Sequence, residues 1–290
     1  MLTIVLDIAV PAGLFVLMLV AGTEIRTSDL SNTLQQPQPL VLGTIGQLVL
    51  LPFAGLLIAH TAVPSPILAT CLLLLAVSPG GGISNYYCYL GRLNVFLSAA
   101  ITFVGTLVSF LTIPSFMWIF PSLEGHASAF AALPVGLIVK QLLILMVMPM
   151  MIGVAVKHRF PLAIEAYGTH LRSASNLAIA VILALAVWSA HASILAHFNE
   201  ILLIAASFLF AAVMIGWLLG RSLSPDSQSV LIIESGTRNV AVALLLGSEV
   251  LTTESLPIHA GFLSVYFIFE VVFMMLFARR HALRSSPLQT

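Results

Sequence analysis

The chain has 290 residues, of which 60% are hydrophobic and only 8% charged, and its mean hydropathy is +1.10. Most of the solvent for such a chain is lipid, which excludes a soluble enzyme. Eleven basic and eleven acidic residues cancel, leaving no excess positive charge to grip a phosphate backbone, so nucleic acid is excluded as a partner. Cys71 and Cys88 lie in apolar runs and are too few for a disulfide framework or a four-ligand zinc site.

A helix needs about 20 mostly apolar residues to cross the hydrocarbon core. Such runs fall near residues 4–22, 39–60, 64–90, 94–119, 132–156, 171–190, 198–219, 226–248 and 256–278. They predict an all-α polytopic membrane protein of nine transmembrane helices, read as one membrane domain over 1–290. The first run has no basic residue before it and is too long for a leader core, so it reads as a true span. Arg26, Arg92, Lys157, Arg159, Arg172, Arg221, Arg279, Arg280 and Arg284 fall on the loops after spans one, three, five and seven and on the C-terminal tail. The opposite loops have none. The excess of lysine and arginine on cytoplasmic loops puts the C-terminus in the cytoplasm and the N-terminus outside.

Two spans carry helix breakers and polar residues at their middles. In span three, Ser78-Pro79-Gly80-Gly81-Gly82-Ile83-Ser84-Asn85 sets one proline and three glycines before two oxygen-bearing side chains. In span eight, Glu234-Ser235-Gly236-Thr237-Arg238-Asn239 puts a carboxylate, two hydroxyls, a guanidinium and an amide in an apolar stretch. Irregular backbone at membrane depth survives only in protein or beside a watery cavity. The two spans are five apart and so run in opposite directions, which predicts an inverted repeat with halves near 1–119 and 132–280. Interrupted segments at matching positions of such halves point to a midplane transport site. Close helix packing is the plainer reading of the glycines, but it leaves the charges of span eight unexplained.

A carboxylate at mid-span costs about 2.5–3.5 kcal/mol on insertion scales, so Glu234 needs a cation or a proton. Sodium fits, because hard cations take oxygen ligands. The oxygens available are those of Glu234, Ser84, Asn85 and, four residues apart on one face of span four, Ser98 and Thr102. A Ser/Thr pair at that spacing also serves to bond its own helix backbone, and both readings stand at this point.

Together with Tyr89-Leu90-Gly91-Arg92-Leu93-Asn94-Val95, the two motifs resemble the bile acid:sodium symporter family over essentially the whole chain, including Gln47 five residues before Pro52. The resemblance implies two crossed discontinuous helices in a core domain beside a smaller panel domain, in the nine-span form that lacks an opening helix. It implies one sodium site from Ser84, Asn85, Ser98, Thr102 and Glu234. A second site would draw on Gln47, Glu234, the backbone around Ser235 and Thr237, and a glutamine that is Arg238 here. Two readings of Arg238 follow. Its guanidinium takes over the second ion's role, giving at most one coupled Na+, or it enters the cavity and binds an anionic substrate group in two-pronged fashion. Asn239 lines the substrate cavity by the same resemblance.

Elsewhere, Lys140 with Gln141 either pairs with Glu270 or snorkels to the interface. Asp7 reads as wet, and His60, His191, His197 and His259 are too scattered for a metal site. The expected function is sodium-coupled symport of a small organic anion by alternating access in a cell inner membrane, with no organic cofactor. An intramembrane enzyme finds no HExxH, GxSxG or paired carboxylates. A metalloid exporter of related architecture would call for a cysteine where Gly82 and Ile83 stand, and a non-transporting sensor would call for a signalling domain. Substrate, direction and oligomeric state are not legible.

Overall fold

The computed structural model describes residues 8–25, 37–124 and 135–284, and every extended element among them is helical. In chain order these are α1 (Val10–Glu24), α2 (Pro37–Ala62), α3 (Pro66–Val77), α4 (Ser84–Leu90), α5 (Val95–Glu124) and α6 (Gly136–Arg159). There follow α7 (Pro161–Ala196), α8 (Phe198–Gly220), α9 (Pro225–Gly236), α10 (Val240–Val250) and α11 (Leu256–Arg284). Five of them, α2, α5, α6, α8 and α11, contain a stretch long and apolar enough to cross a membrane, and α1, α3 and α10 are shorter apolar helices. This is the architecture of a polytopic membrane protein. Large side chains such as Leu57, Leu111, Trp118 and Phe210 remain exposed on its outer faces, as lipid contact requires.

The helices differ from the expected runs where chemistry other than hydropathy decides. Span one, expected over 4–22, has its described helix at 10–24, so Glu24 belongs to α1 and not to a loop. The expected sixth span, 171–190, lies inside the 36-residue α7, which starts directly after Phe160. At 1.5 Å per residue that helix is about 54 Å long, well beyond a bilayer core. Its polar first third is helical because helix formation does not require apolar residues. Asp7, Arg26 and the Arg172 side chain lie outside the described residues.

Two helices carry a π turn just before a proline: Gly46–Leu50 before Pro52, and Leu143–Val147 before Pro149. Proline has no N–H for the α-helical ladder, and each helix widens by one residue, with Leu51 N–H reaching Gly46 O and Met148 N–H reaching Leu143 O. Widening α2 in this way reorients Gln47 within the turn.

Spans three and eight are each two helices. Ser65 caps α3 and Ser224 caps α9, each followed by proline at the first helical position. The Gly91–Asn94 motif then has a local meaning. Leu93 N–H reaches Cys88 O and Arg92 N–H reaches Tyr89 O, a Schellman stop for α4 with Arg92 in the left-handed position at φ 55. Asn94 Oδ1 accepts from Leu97 N–H and starts α5.

One close packing joins α1 to α6. A Cβ on Gly22 would collide with the Met150 carbonyl, and one on Gly153 with the Leu19 carbonyl, so only glycine lets these backbones touch. Gly153→Val is expected to lower stability by about 1–3 kcal/mol through overpacking. Gly136→Ala, whose Cβ meets nothing within 4 Å, serves as the neutral control in thermal unfolding of the detergent-solubilised protein.

Candidate functional site

The breaks in the two split helices meet and run antiparallel. Gly80 and Arg238 form an isolated bridge, with Asn239 N–H on Pro79 O at 2.9 Å and Gly81 N–H on Thr237 O at 3.3 Å. A Cβ on Gly80 would lie 2.8 Å from Gln47 Nε2, so the glycine there makes room for the amide. Proline and glycine thus expose backbone groups that the opposite break satisfies.

Glu234 lies in the last turn of α9 at this crossing and is fully buried. Its carboxylate is surrounded by uncharged donors. Gln47 Nε2 donates to Oε2 at 2.7 Å, Ser98 Oγ to Oε1, and Thr102 Oγ1 to Oε2 at 3.1 Å. Gln47 also donates to the Glu234 backbone carbonyl at 3.1 Å and accepts from Gly80 N–H at 3.2 Å. One amide therefore joins α2 to both breaks. The hydroxyls of Ser98 and Thr102 turn toward the carboxylate, and no bond from either to its own helix backbone occurs among the described residues. Ser84 Oγ lies 3.3 Å from Ser98 Oγ and 3.4 Å from Thr102 Oγ1, and Asn85 Oδ1 accepts from Ser98 at 2.8 Å. All five side chains expected around the first cation are thus in one buried cluster of oxygens from α4, α5 and α9. Oxygen-only clusters of this kind suit hard cations.

The residues expected at the second position are more dispersed. The hydroxyls of Ser235 and Thr237 are buried without hydrogen-bond partners. Arg238 is 1% exposed, and no hydrogen bond joins it to Glu234 among the described residues. Its Nη2 donates instead to Ala76 O, near the C-terminus of α3, at 2.9 Å and to Gln47 O at 3.4 Å. Cations at helix C-termini are favourable because unpaired carbonyls gather there. Nε and Nη1 of Arg238 have no hydrogen-bond partner among the described residues.

Asn239 has a role that its motif position did not suggest. Its Oδ1 accepts from Val242 N–H at 3.2 Å and caps α10, leaving Nδ2 unpartnered. Arg238 and Asn239 both line a cavity of about 50 Å³, together with Gly81, Gly82, Leu17 and Phe267.

Glu270 does not pair with Lys140. It is fully buried, and its Oε2 accepts from Arg238 backbone N–H at 3.2 Å. Gln141 binds Glu249 at 2.8 Å, and Lys140 is exposed, because α6 packs chiefly against α1 and not against α11. Tyr266, one turn before Glu270, donates to Gly236 O at 2.8 Å. Sequence reasoning missed one more member of the cluster. Glu24 on α1 accepts from Asn85 Nδ2 at 2.8 Å. A carboxylate at the end of the first apolar run was its only signal. Cys71 and Cys88 are buried free thiols, and no group of three metal-ligating His, Cys, Asp or Glu residues occurs among the described residues.

The family model described as "Sodium Bile acid symporter family" matches residues 11–198. The chain belongs to the sodium bile acid symporter family. It is similar to the P3 protein of Mus musculus, at 31% identity over 142 residues covering 48% of this chain and 29% of that protein. A protein of Arabidopsis thaliana named "Probable sodium/metabolite cotransporter BASS1, chloroplastic" is 23% identical over 82% of this chain and 58% of its own length. The sodium-dependent organic anion transporter of Bos taurus is 22% identical over 88% and 68%. The matched region thus spans under a third of the P3 protein and a little over half of the Arabidopsis family member.

Gln47 joins three elements, which gives a direct test of the cluster's construction. Gln47→Leu leaves Gly80 N–H and two acceptors of Glu234 without their partner and is expected to cost about 1–3 kcal/mol. Gln47→Glu, which keeps the length but sets a second carboxylate against Glu234, should cost more when both are read by thermal unfolding.

Proposed function

We propose that this protein is a secondary active transporter that carries a small organic anion with sodium by alternating access. The observation that carries this reading is the convergence of Ser84, Asn85, Ser98, Thr102 and Glu234 on one buried point beside the crossed breaks. The sodium and organic-anion wording in the names of its relatives agrees with it.

The reading comprises nine crossings of a cell inner membrane, an inverted repeat with halves near 1–119 and 132–280, and one domain over 1–290 with core and panel parts. The N-terminus is outside and the C-terminus cytoplasmic, as the lysine and arginine distribution requires. No enzymatic step and no organic cofactor is invoked.

One sodium is coupled per cycle. Nη2 of Arg238 holds the carbonyls of Ala76 and Gln47, a permanent positive charge where family members with a glutamine would take a second ion through Gln47, Ser235 and Thr237. The two unpartnered donors of the guanidinium and Asn239 Nδ2 are then available to an anionic group of the substrate at the neighbouring cavity. The coupling consequence is quantitative. One charge moved through 100 mV is worth about 2.3 kcal/mol, and a cycle of one sodium with one monoanion moves no net charge. Its concentrating power would come from the sodium gradient alone.

Thermal unfolding of the purified protein in sodium, against potassium and choline at equal ionic strength, tests this directly. A ligand at 100 times its Kd stabilises the fold that binds it by about 2.7 kcal/mol. A sodium-specific rise is expected in the wild type and its loss in Glu234→Gln. Arg238→Gln should show a steeper dependence on sodium concentration, as a second ion enters. Equal curves in all three cations for the wild type would contradict sodium coupling.

A further inference from the structure

Asn85 is the one member of the oxygen cluster whose orientation is ambiguous in principle, because an amide presents a carbonyl oxygen on one side and two N–H donors on the other. Only the oxygen can serve a cation. In the flipped state the amide would point its protons at the ion and repel it. The cluster itself discriminates weakly, since Ser98 is a hydroxyl that donates or accepts with equal ease. Here Ser98 already donates to Glu234, and its contact with Asn85 Oδ1 shares the same proton.

The discriminating partner is outside the cluster. Asn85 Nδ2 donates to Glu24 Oε2 at 2.8 Å. An ionised carboxylate accepts and cannot donate, so it tolerates only the N–H face of the amide, and charge-assisted bonds of this length are about twice as strong as neutral ones. Glu24 is the final residue of α1, a helix that packs chiefly against α6 and α7, whereas Asn85 begins α4 in the split span. The α1–α6 backbone contact at Gly22 and Gly153 fixes the height of Glu24, two residues further on.

We propose that Glu24 is a positioning residue for the cation site: it holds the Asn85 amide with its oxygen toward Ser98 and Glu234, so that the site is complete only while the end of α1 keeps Glu24 within reach of Asn85. The inference rests on the sodium reading of the cluster. It adds a coupling, because any movement of α1 that takes Glu24 away from Asn85 releases the amide and lowers cation affinity. Ion occupancy and the position of α1 are then linked reciprocally.

The test is the sodium concentration giving half-maximal thermal stabilisation of the full-length protein, with choline chloride holding ionic strength constant. Glu24→Met keeps the length and removes the acceptor, and it should raise that concentration about tenfold, the loss of one charge-assisted hydrogen bond. Glu24→Ala provides the same loss should the methionine variant fail to fold. Glu24→Gln retains an acceptor oxygen but loses the charge and adds two N–H donors, so its midpoint should fall between those of wild type and Glu24→Met. A residue with only a packing role would change the melting temperature without sodium and leave the sodium midpoint where it was, and that result overturns the proposal. So does a Glu24→Gln midpoint shifted as far as that of Glu24→Met. If the wild type itself shows no sodium response, the sodium reading falls and takes this inference with it, whereas a responsive wild type with unshifted Glu24 variants removes the inference alone.

Discussion

A buried carboxylate surrounded by neutral donors is the constraint around which this molecule is organised. Glu234 is fully buried, and the groups that reach its oxygens, Gln47, Ser98 and Thr102, come from two other helices and bring no charge. Hydrogen bonds to a charged group are worth about 1.5–3 kcal/mol each, enough to hold a carboxylate in the protein but not to neutralise it. Holding it there shapes α2, which widens at a π turn around Gln47, and shapes the two breaks, where Gly80 admits the amide. The broken backbone, the proline-induced turn and the paired hydroxyls on α5 are thus parts of one arrangement.

The second buried carboxylate, Glu270, has far poorer surroundings. It accepts from one backbone N–H, and its other oxygen has no partner, as do two nitrogens of the nearby Arg238. The Arg238 side chain spends its one paired nitrogen on carbonyls and makes no hydrogen bond to either carboxylate among the described residues, although its backbone N–H donates to Glu270. The two split spans are therefore tied to each other by backbone bridges and by a guanidinium reaching across to α3, with no ion pair between them among the described residues. Buried pairs contribute little stability once desolvation is counted.

Much of this was legible in the sequence because breakers and charges are rare inside apolar runs. Pro79 with three glycines and the Glu234–Asn239 segment marked the breaks, and the four-residue spacing of Ser98 and Thr102 put both hydroxyls on one face. What was not legible depends on helix ends and on long-range approach. The end of α1 could not be read from hydropathy, since a helix continues through polar residues such as Glu24 when its last turn is packed. Asn239 drew notice for its motif position, yet its local task is to cap α10, a role set by the break before it. Of the two readings of Lys140, pairing with Glu270 fails because it needs a shared face between α6 and α11, and a hydropathy pattern does not say which helices are neighbours. The length of α7 was missed because its first third is polar but helix-forming.

The central claim is that the Glu234 cluster binds one sodium ion because Arg238 stands in the second position. Equilibrium binding of radioactive sodium to the purified protein counts the ions directly. One ion per chain in the wild type, and none in Glu234→Gln, is the predicted result; two ions per chain in the wild type, or none, would contradict it.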